Sequence, residues 1–161
     1  MEGCKLIALT LAYLAGNEVM EFRQITFNSE EYRQALQLRE ATLRRPLGLT
    51  LSAEDLAGED AQYHFGLFEG QDLLASATIK PLDQEEVKLR QMCVAPQARA
   101  KNLGRRLIRE TEEVMVSMGY RRIVLAARVS AAGFYRKLGY VDTSETYLAL
   151  GIEHVDMSKY L

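Results

Sequence analysis

The sequence predicts an α/β fold, a mixed (α+β) sheet flanked by helices, and three observations carry that expectation. Runs with apolar residues at every second position are interspersed with runs at helical spacing, so strands and helices share one chain. Tyr63 to Phe68 and Leu73 to Pro81 are joined by Glu69-Gly70-Gln71-Asp72, a connection of hairpin length, which makes part of the sheet antiparallel. Past Glu86 strands and helices take turns, the order that crossover connections produce. At 161 residues one such domain buries most of its apolar surface without disulfides or metal.

The elements follow in order. Leu6 to Ala15, LIALTLAYLA, imitates a short export signal, yet Glu2 beside Lys5 denies its flank basic character, so export is not expected. Residues 1–19 have two readings, an extension from an upstream start or a packing helix, and residues 20–161 form the single domain. Glu21 to Thr26 alternates as a first strand. Asn28 or Ser29 then caps a helix running to about Arg44, with Tyr32, Ala35, Leu36, Arg39 and Leu43 on one face and Pro46 and Gly48 as its stop. Ser52 to Asp60 is a polar, acidic loop. After the hairpin, Glu86 to Val94 is a strand and Arg105 to Met118 a helix stopped by Gly119. Arg122 to Ala126 is a short strand, Ser130 to Leu138 a helix ended by Gly139, and one or two strands follow Tyr140.

Composition narrows the function. A formal charge of -2 provides no global basic field for gripping nucleic acid, and no aromatic residues interleave with the basic cluster near Arg105. Cys4 and Cys93 have the spacing of neither a disulfide framework nor a zinc site, which points to a reducing, cytoplasmic compartment. No apolar run approaches the roughly 20 residues of a membrane span. His64 and His154 lie on separate strands without a metal-ligand spacing, so no metal is expected.

The chemistry concentrates in QMCVAPQARAKNLGRRLIRE. A strand ending at Val94 passes through a basic loop into a helix that starts near Gly104, and such a junction binds anions. The first N–H groups of the helix have no partner within it, and Arg99, Lys101, Arg105 and Arg106 supply mobile countercharge. Glycine lets a phosphate approach the backbone where a Cβ stands in the way.

Three segments in order resemble the GNAT superfamily of acetyl-CoA-dependent N-acetyltransferases. Leu89 to Val94, then Pro96, is similar to the central strand of that family. Arg99-Ala100-Lys101-Asn102-Leu103-Gly104 resembles its pyrophosphate motif, Gln/Arg-x-x-Gly-x-Gly/Ala. Ala131 to Tyr140, AAGFYRKLGY, resembles its later helix, A-x-x-F-Y-x-x-x-G-F. LRRPLGL and GIEHVDMSK are similar to small bacterial members of unassigned substrate. Asn102 stands where the motif has its first glycine and Ala100 where many members carry another; asparagine tolerates positive φ better than most residues.

The resemblance implies a GNAT-like acyl-CoA N-acyltransferase fold whose sheet opens in its middle, with acetyl-CoA as cosubstrate. It assigns cofactor contacts to Met92, Cys93, Val94, Arg99, Ala100, Lys101, Asn102, Leu103, Gly104 and Arg105, the first three through their main chain. It places the Tyr135 phenol near the sulfur, to protonate the departing thiolate. An amine must be neutral to attack, so a base is needed; Glu85 and Glu86, which begin the central strand, are the candidates, at most one of them facing the cleft. Cys93, on an apolar strand, reads as an inert thiol rather than a nucleophile. His64 and His154 read as hydrogen-bonded structural residues. The acidic loop Glu54, Asp55, Glu59 and Asp60 reads as soluble surface, with attraction of a cationic amine as its functional alternative.

The function that follows is transfer of an acetyl group to a primary amine, of a small molecule or a peptide. A non-catalytic CoA-binding or regulatory module is the alternative. The edge strand after Tyr140 suits pairing with a second copy.

Overall fold

The computed structural model describes residues 19–161, so the two readings of residues 1–19, and Cys4 with them, fall outside the described residues apart from Val19. The element order is β1 (Met20–Ile25), α1 (Glu30–Arg39), a π-helical segment (Glu40–Arg44), a 3-10 turn (Arg45–Leu47), α2 (Ala53–Leu56), a 3-10 turn (Glu59–Ala61), β2 (Tyr63–Glu69), β3 (Asp72–Pro81) and β4 (Glu86–Val94). A 3-10 segment (Pro96–Lys101) leads into α3 (Leu103–Ser117), followed by β5 (Arg122–Arg128), α4 (Val129–Lys137), β6 (Val141–Asp142), β7 (Tyr147–Ala149) and β8 (Ile152–Tyr160). One sheet holds every strand, in the order β1-β2-β3-β4-β5-β8-β6, with β7 also on β8. All pairings are antiparallel except β4 with β5. The mixed α/β sheet expected from the sequence is therefore present, with one more C-terminal strand than expected. Among the described residues no helix is long and apolar enough to cross a membrane.

Local chemistry sets the boundaries. Ser29 caps α1, its hydroxyl accepting from the Tyr32 N–H at 3.2 Å. The expected helix to Arg44 is continuous, but its last five residues widen into π turns before Pro46, which lacks the N–H a further turn would need. Gly119 and Gly139, both at φ 96, end α3 and α4.

Alternation along β2, β3 and β4 separates two environments. Phe65, Leu67, Ala77, Ile79 and Leu89 join the main apolar core together with Leu107, Ile108 and Met115 of α3. Each fully buried aliphatic or aromatic side chain of this kind contributes about 1.5–3 kcal/mol. His64, Thr78 and Arg90 occupy the other set of positions, where a polar network links the sheet to α1.

Glu59 is the centre of that network, and its place corrects the reading of the acidic loop as solvated surface. Its side chain is fully buried. Arg39 donates to both carboxylate oxygens at 2.9 Å, Tyr32 Oη donates at 2.7 Å and Arg90 at 3.1 Å. His64 Nε2 lies 2.8 Å from the Glu59 carbonyl, which can only accept, so the proton sits on Nε2 and Nδ1 accepts from Thr78 Oγ1 at 3.0 Å. Thr78 in turn accepts from Arg39. Asp55 of the same loop closes a capping box with Ser52 and pairs with Arg44. Two of the four acidic residues of the loop thus serve buried arginines, while Glu54 and Asp60 are exposed as the sequence reading expected.

Glu59→Gln keeps the shape and removes the countercharge of two guanidinium groups, so the free energy of unfolding in urea is expected to fall by about 3–5 kcal/mol. Burial pushes the Glu59 carboxyl up, but Arg39 and the Tyr32 hydrogen bond outweigh it and hold it below the usual range. Burial likewise holds the His64 imidazole below its usual range, against the pull of Glu59. Both folded values lie below the unfolded ones, so the stability they contribute is complete above about pH 6.5. On acidification the urea midpoint should fall first as His64 gains a proton and again, below about pH 4.3, as Glu59 does.

Candidate active site

β4 and β5 pair only from Glu86 with Arg122 to Lys88 with Val124, and then part. The parting coincides with a bulge. Ser76 faces Cys93 and Thr78 faces Arg90, so Ala77 stands opposite two residues, Gln91 and Met92, and Gln91 takes φ 54. A bulge bends its strand and raises the local twist, here turning β4 away from β5. β5 stays with β8 as far as Arg128 opposite His154. From Leu89 to Val94 the main-chain groups directed toward β5 have no strand partner among the described residues. The gap is a cleft of 880 Å³ walled by β4 from Lys88 to Val94 and by β5 from Leu125 to Arg128.

One end of the cleft reaches the start of α3. Asn102 sits at φ 55, ψ 26, the left-handed conformation, and makes no side-chain cap, so the first N–H groups of α3 keep no internal partner. Arg99, Asn102, Gly104 and Arg105 line the cleft here. Ala100, Lys101 and Leu103 do not: Ala100 is exposed, Lys101 lies 3.9 Å from Glu69, and Leu103 is buried in the core. Arg106 is also withdrawn, donating to Glu110 and to the Met20 carbonyl. Gly104 has a packing role that the sequence did not disclose. A Cβ there would lie 2.8 Å from Met92 Cε and 3.3 Å from Phe134 Cζ, so glycine lets α3 close onto β4 and α4.

At the middle of the cleft stand Cys93, flanked on β4 by Met92 and Val94, and Tyr135 of α4. Burial and then proximity to Cys93 push the Tyr135 phenol up to about 12, so it carries its proton at neutral pH. Burial also pushes the Cys93 thiol up, against a contact to Ser76 Oγ at 3.5 Å. A protonated thiol is a poor nucleophile.

Glu85 and Glu86, the expected bases, are not brought to the cleft. Both precede the parting of the strands. Glu86 is bonded to Arg122 across the parallel pair, and Glu85 is exposed, with Arg121 at 4.0 Å.

Another part of the cleft is walled by the π-helical segment and the C-terminal half of β5. Arg44 donates to Asp55 at 2.7 and 3.3 Å, and this bond leads the causes that hold the Asp55 carboxyl down to about 2. Arg90 bonds Glu59, Gln62 and the Asp55 carbonyl. Arg128 donates to the Leu43 carbonyl at 3.1 Å and has no carboxylate partner among the described residues. His154 Nδ1 lies 2.8 Å from the Ile152 carbonyl, which can only accept, so Nδ1 carries a proton and Nε2 is the ring nitrogen left for a further partner. Arg128 escaped the sequence reading because the strand was ended at Ala126. Its only signal is a cation closing the apolar run RIVLAAR.

Comparisons with known proteins agree with this geometry. Residues 50–161 match the family model described as an acetyltransferase (GNAT) domain. The Bacillus subtilis protein YyaT is 38% identical over 72 residues, which spans 45% of this chain and 49% of that protein. The crystal structure of Escherichia coli ElaA superposes with a TM-score of 0.75 at 23% identity, over 88% of this chain and 99% of ElaA. A GNAT family acetyltransferase from Elizabethkingia anophelis, solved with acetyl-CoA bound, superposes with a TM-score of 0.68 at 15% identity, over 91% of this chain and 99% of that one.

The conformation of Asn102 can be tested by stability alone. Asn102→Gly should leave urea unfolding nearly unchanged, whereas Asn102→Val should cost about 1–2 kcal/mol, because a β-branched residue resists the left-handed region.

Proposed function

Since the chain belongs to the GNAT acetyltransferase family, we propose that it moves an acetyl group from acetyl-CoA to a primary amine by direct attack. The observation that carries this reading is the parted pair β4 and β5, with an unpaired main-chain edge along one wall and a helix start at one end. The residues present fit the substrate. The N–H groups opening α3, with Arg99 and Arg105, suit a pyrophosphate. The free edge of β4 suits the amides of a pantetheine arm, which pairs as an added strand does. The E. anophelis structure supports acetyl-CoA as the cosubstrate, since that protein of like fold was solved with acetyl-CoA bound. Residues 20–161 make up the transferring unit as one domain.

In the proposed reaction the amine nitrogen attacks the thioester carbonyl, the C–S bond breaks, and the sulfur takes a proton. Tyr135 supplies that proton, and the N–H groups of β4 near Val94 stabilise the developing oxyanion. The lone pair of His154 Nε2 takes the proton of the attacking amine, directly or through water, a role the sequence had assigned to Glu85 or Glu86. The buried, protonated thiol of Cys93 argues against an acyl-enzyme. A non-catalytic module would follow if Asn102 spoiled the loop, but its left-handed backbone is the one a glycine would supply.

Calorimetric titration tests the reading first. Wild-type protein should bind acetyl-CoA, and the double substitution Arg99→Glu, Arg105→Glu should weaken binding by about tenfold or more, with the melting temperature unchanged. Absence of wild-type binding would overturn the proposal. Tyr135→Phe should lower kcat by about tenfold and leave the acetyl-CoA Kd in place, because a thiolate needs limited acid help to leave. In the wild type no loss of activity from Tyr135 is expected below pH 10, since its phenol stays protonated to about 12.

A further inference from the structure

The charges around the cleft are one-sided. Arg44, Lys88, Arg90, Arg99, Arg105 and Arg128 all line it, and no aspartate or glutamate does among the described residues. Arg99 and Arg105 stand where the proposed pyrophosphate binds. The charges of Arg44 and Arg90 are matched from behind by Asp55 and Glu59. Arg128 differs. It is half-buried, its one bond within the described residues is to the Leu43 carbonyl, and Arg44 stands near it. Partial burial and then the field of Arg44 push its guanidinium below the usual range, the mark of a cation lacking its counterion.

We infer that the acceptor amine also carries a carboxylate, and that Arg128 at the end of β5 is the residue that holds it. The inference rests on the acetyl-transfer reading above. A guanidinium offers five N–H donors in a planar fork, and the Leu43 carbonyl occupies one of them. A carboxylate matches the remaining fork and removes the cost of the uncompensated charge. A polyamine or an aminoglycoside would bring a second cation against this wall, where no carboxylate among the described residues faces the cleft to receive it, and a lysine side chain would leave Arg128 without a counterion. The amino acids and short peptides with a free C-terminus are the acceptor class that combines an amine with a carboxylate.

Matched pairs of amines test this: tyrosine with tyramine, arginine with agmatine, and dipeptides with free or amidated C-termini. Acetyl transfer is followed by the release of the CoA thiol, with acetyl-CoA binding measured calorimetrically on the same samples. The expected result is a kcat/KM about tenfold or more higher for the carboxylate members. In Arg128→Gln that preference should vanish while the acetyl-CoA Kd holds, and Arg128→Lys should restore part of it. The inference is overturned if the decarboxylated or amidated members are used equally well, if the preference survives Arg128→Gln, or if a protein that binds acetyl-CoA acetylates no member of any pair. In each of these cases the acetyl-CoA site stands. Failure of the wild type to bind acetyl-CoA removes both.

Discussion

Three residue pairs are all that join β4 to β5, and the cleft depends on that short parallel contact ending at Lys88. Had the ladder run on, Leu89 to Val94 would have spent their main-chain groups on β5. The bulge at Gln91 ends it locally, while Ala95 still donates to the Leu74 carbonyl at 2.7 Å, so β4 leaves β5 without leaving β3. A parallel pair also demands a crossover, and α3 provides it from the C-terminal end of β4. The same requirement that makes the sheet mixed therefore brings a helix N-terminus to the open end of the gap. Ligands in open α/β sheets bind outside the carboxyl ends of strands for this reason.

The polar face of the sheet holds the cleft wall in place. Arg90 is the last residue of β4 before the bulge, and its guanidinium bonds Glu59, Gln62 and the Asp55 carbonyl. Glu59 binds Arg39 as well, so α1, the loop before β2 and the bending strand share one carboxylate. Arg44, at the end of the π segment, is tied to the same loop through Asp55. A buried ion network of this kind stabilises little on balance, because desolvation offsets its attraction. Its effect is geometric: it sets where the π segment lies against β4 and β5, and the Leu43 carbonyl of that segment receives Arg128.

Signals confined to neighbouring residues were legible in the sequence. β4 has the limits the alternation predicted, the hairpin joins β2 and β3 as its connection required, Ser29 caps α1, and Gly119 and Gly139 stop their helices. The anion-binding junction was legible because strand, basic loop and helix start adjoin in the chain. What escaped was set by distant partners. Nothing local distinguishes Glu59, fully buried, from Glu54, which stays exposed; Arg39 and Arg90 make the difference. Glu85 and Glu86 looked catalytic because they open the central strand, but the opening of a parallel pair is its closed end. Arg128 and His154 face each other across β5 and β8, a pairing that no spacing announces.

A direct transfer needs both substrates in place at once, and the cleft meets that need in its distribution of groups. The groups suited to phosphate, Arg99, Arg105 and the start of α3, follow the end of β4; Arg44, Arg128 and His154 belong to the π segment and to the paired strands β5 and β8. Cys93 and Tyr135 also line the cleft, and both hold their protons at neutral pH because burial disfavours the anion. A site that stored the acetyl group on the enzyme would need the opposite, a nucleophile kept charged by its surroundings. Here the surroundings keep Cys93 and Tyr135 neutral while the charged lining is cationic, which suits an uncharged thioester meeting an uncharged amine, with anionic groups elsewhere on the substrates held by the cations. Under the proposed reading, positioning by the cationic lining supplies most of the catalysis, and Tyr135 contributes a single proton to the sulfur.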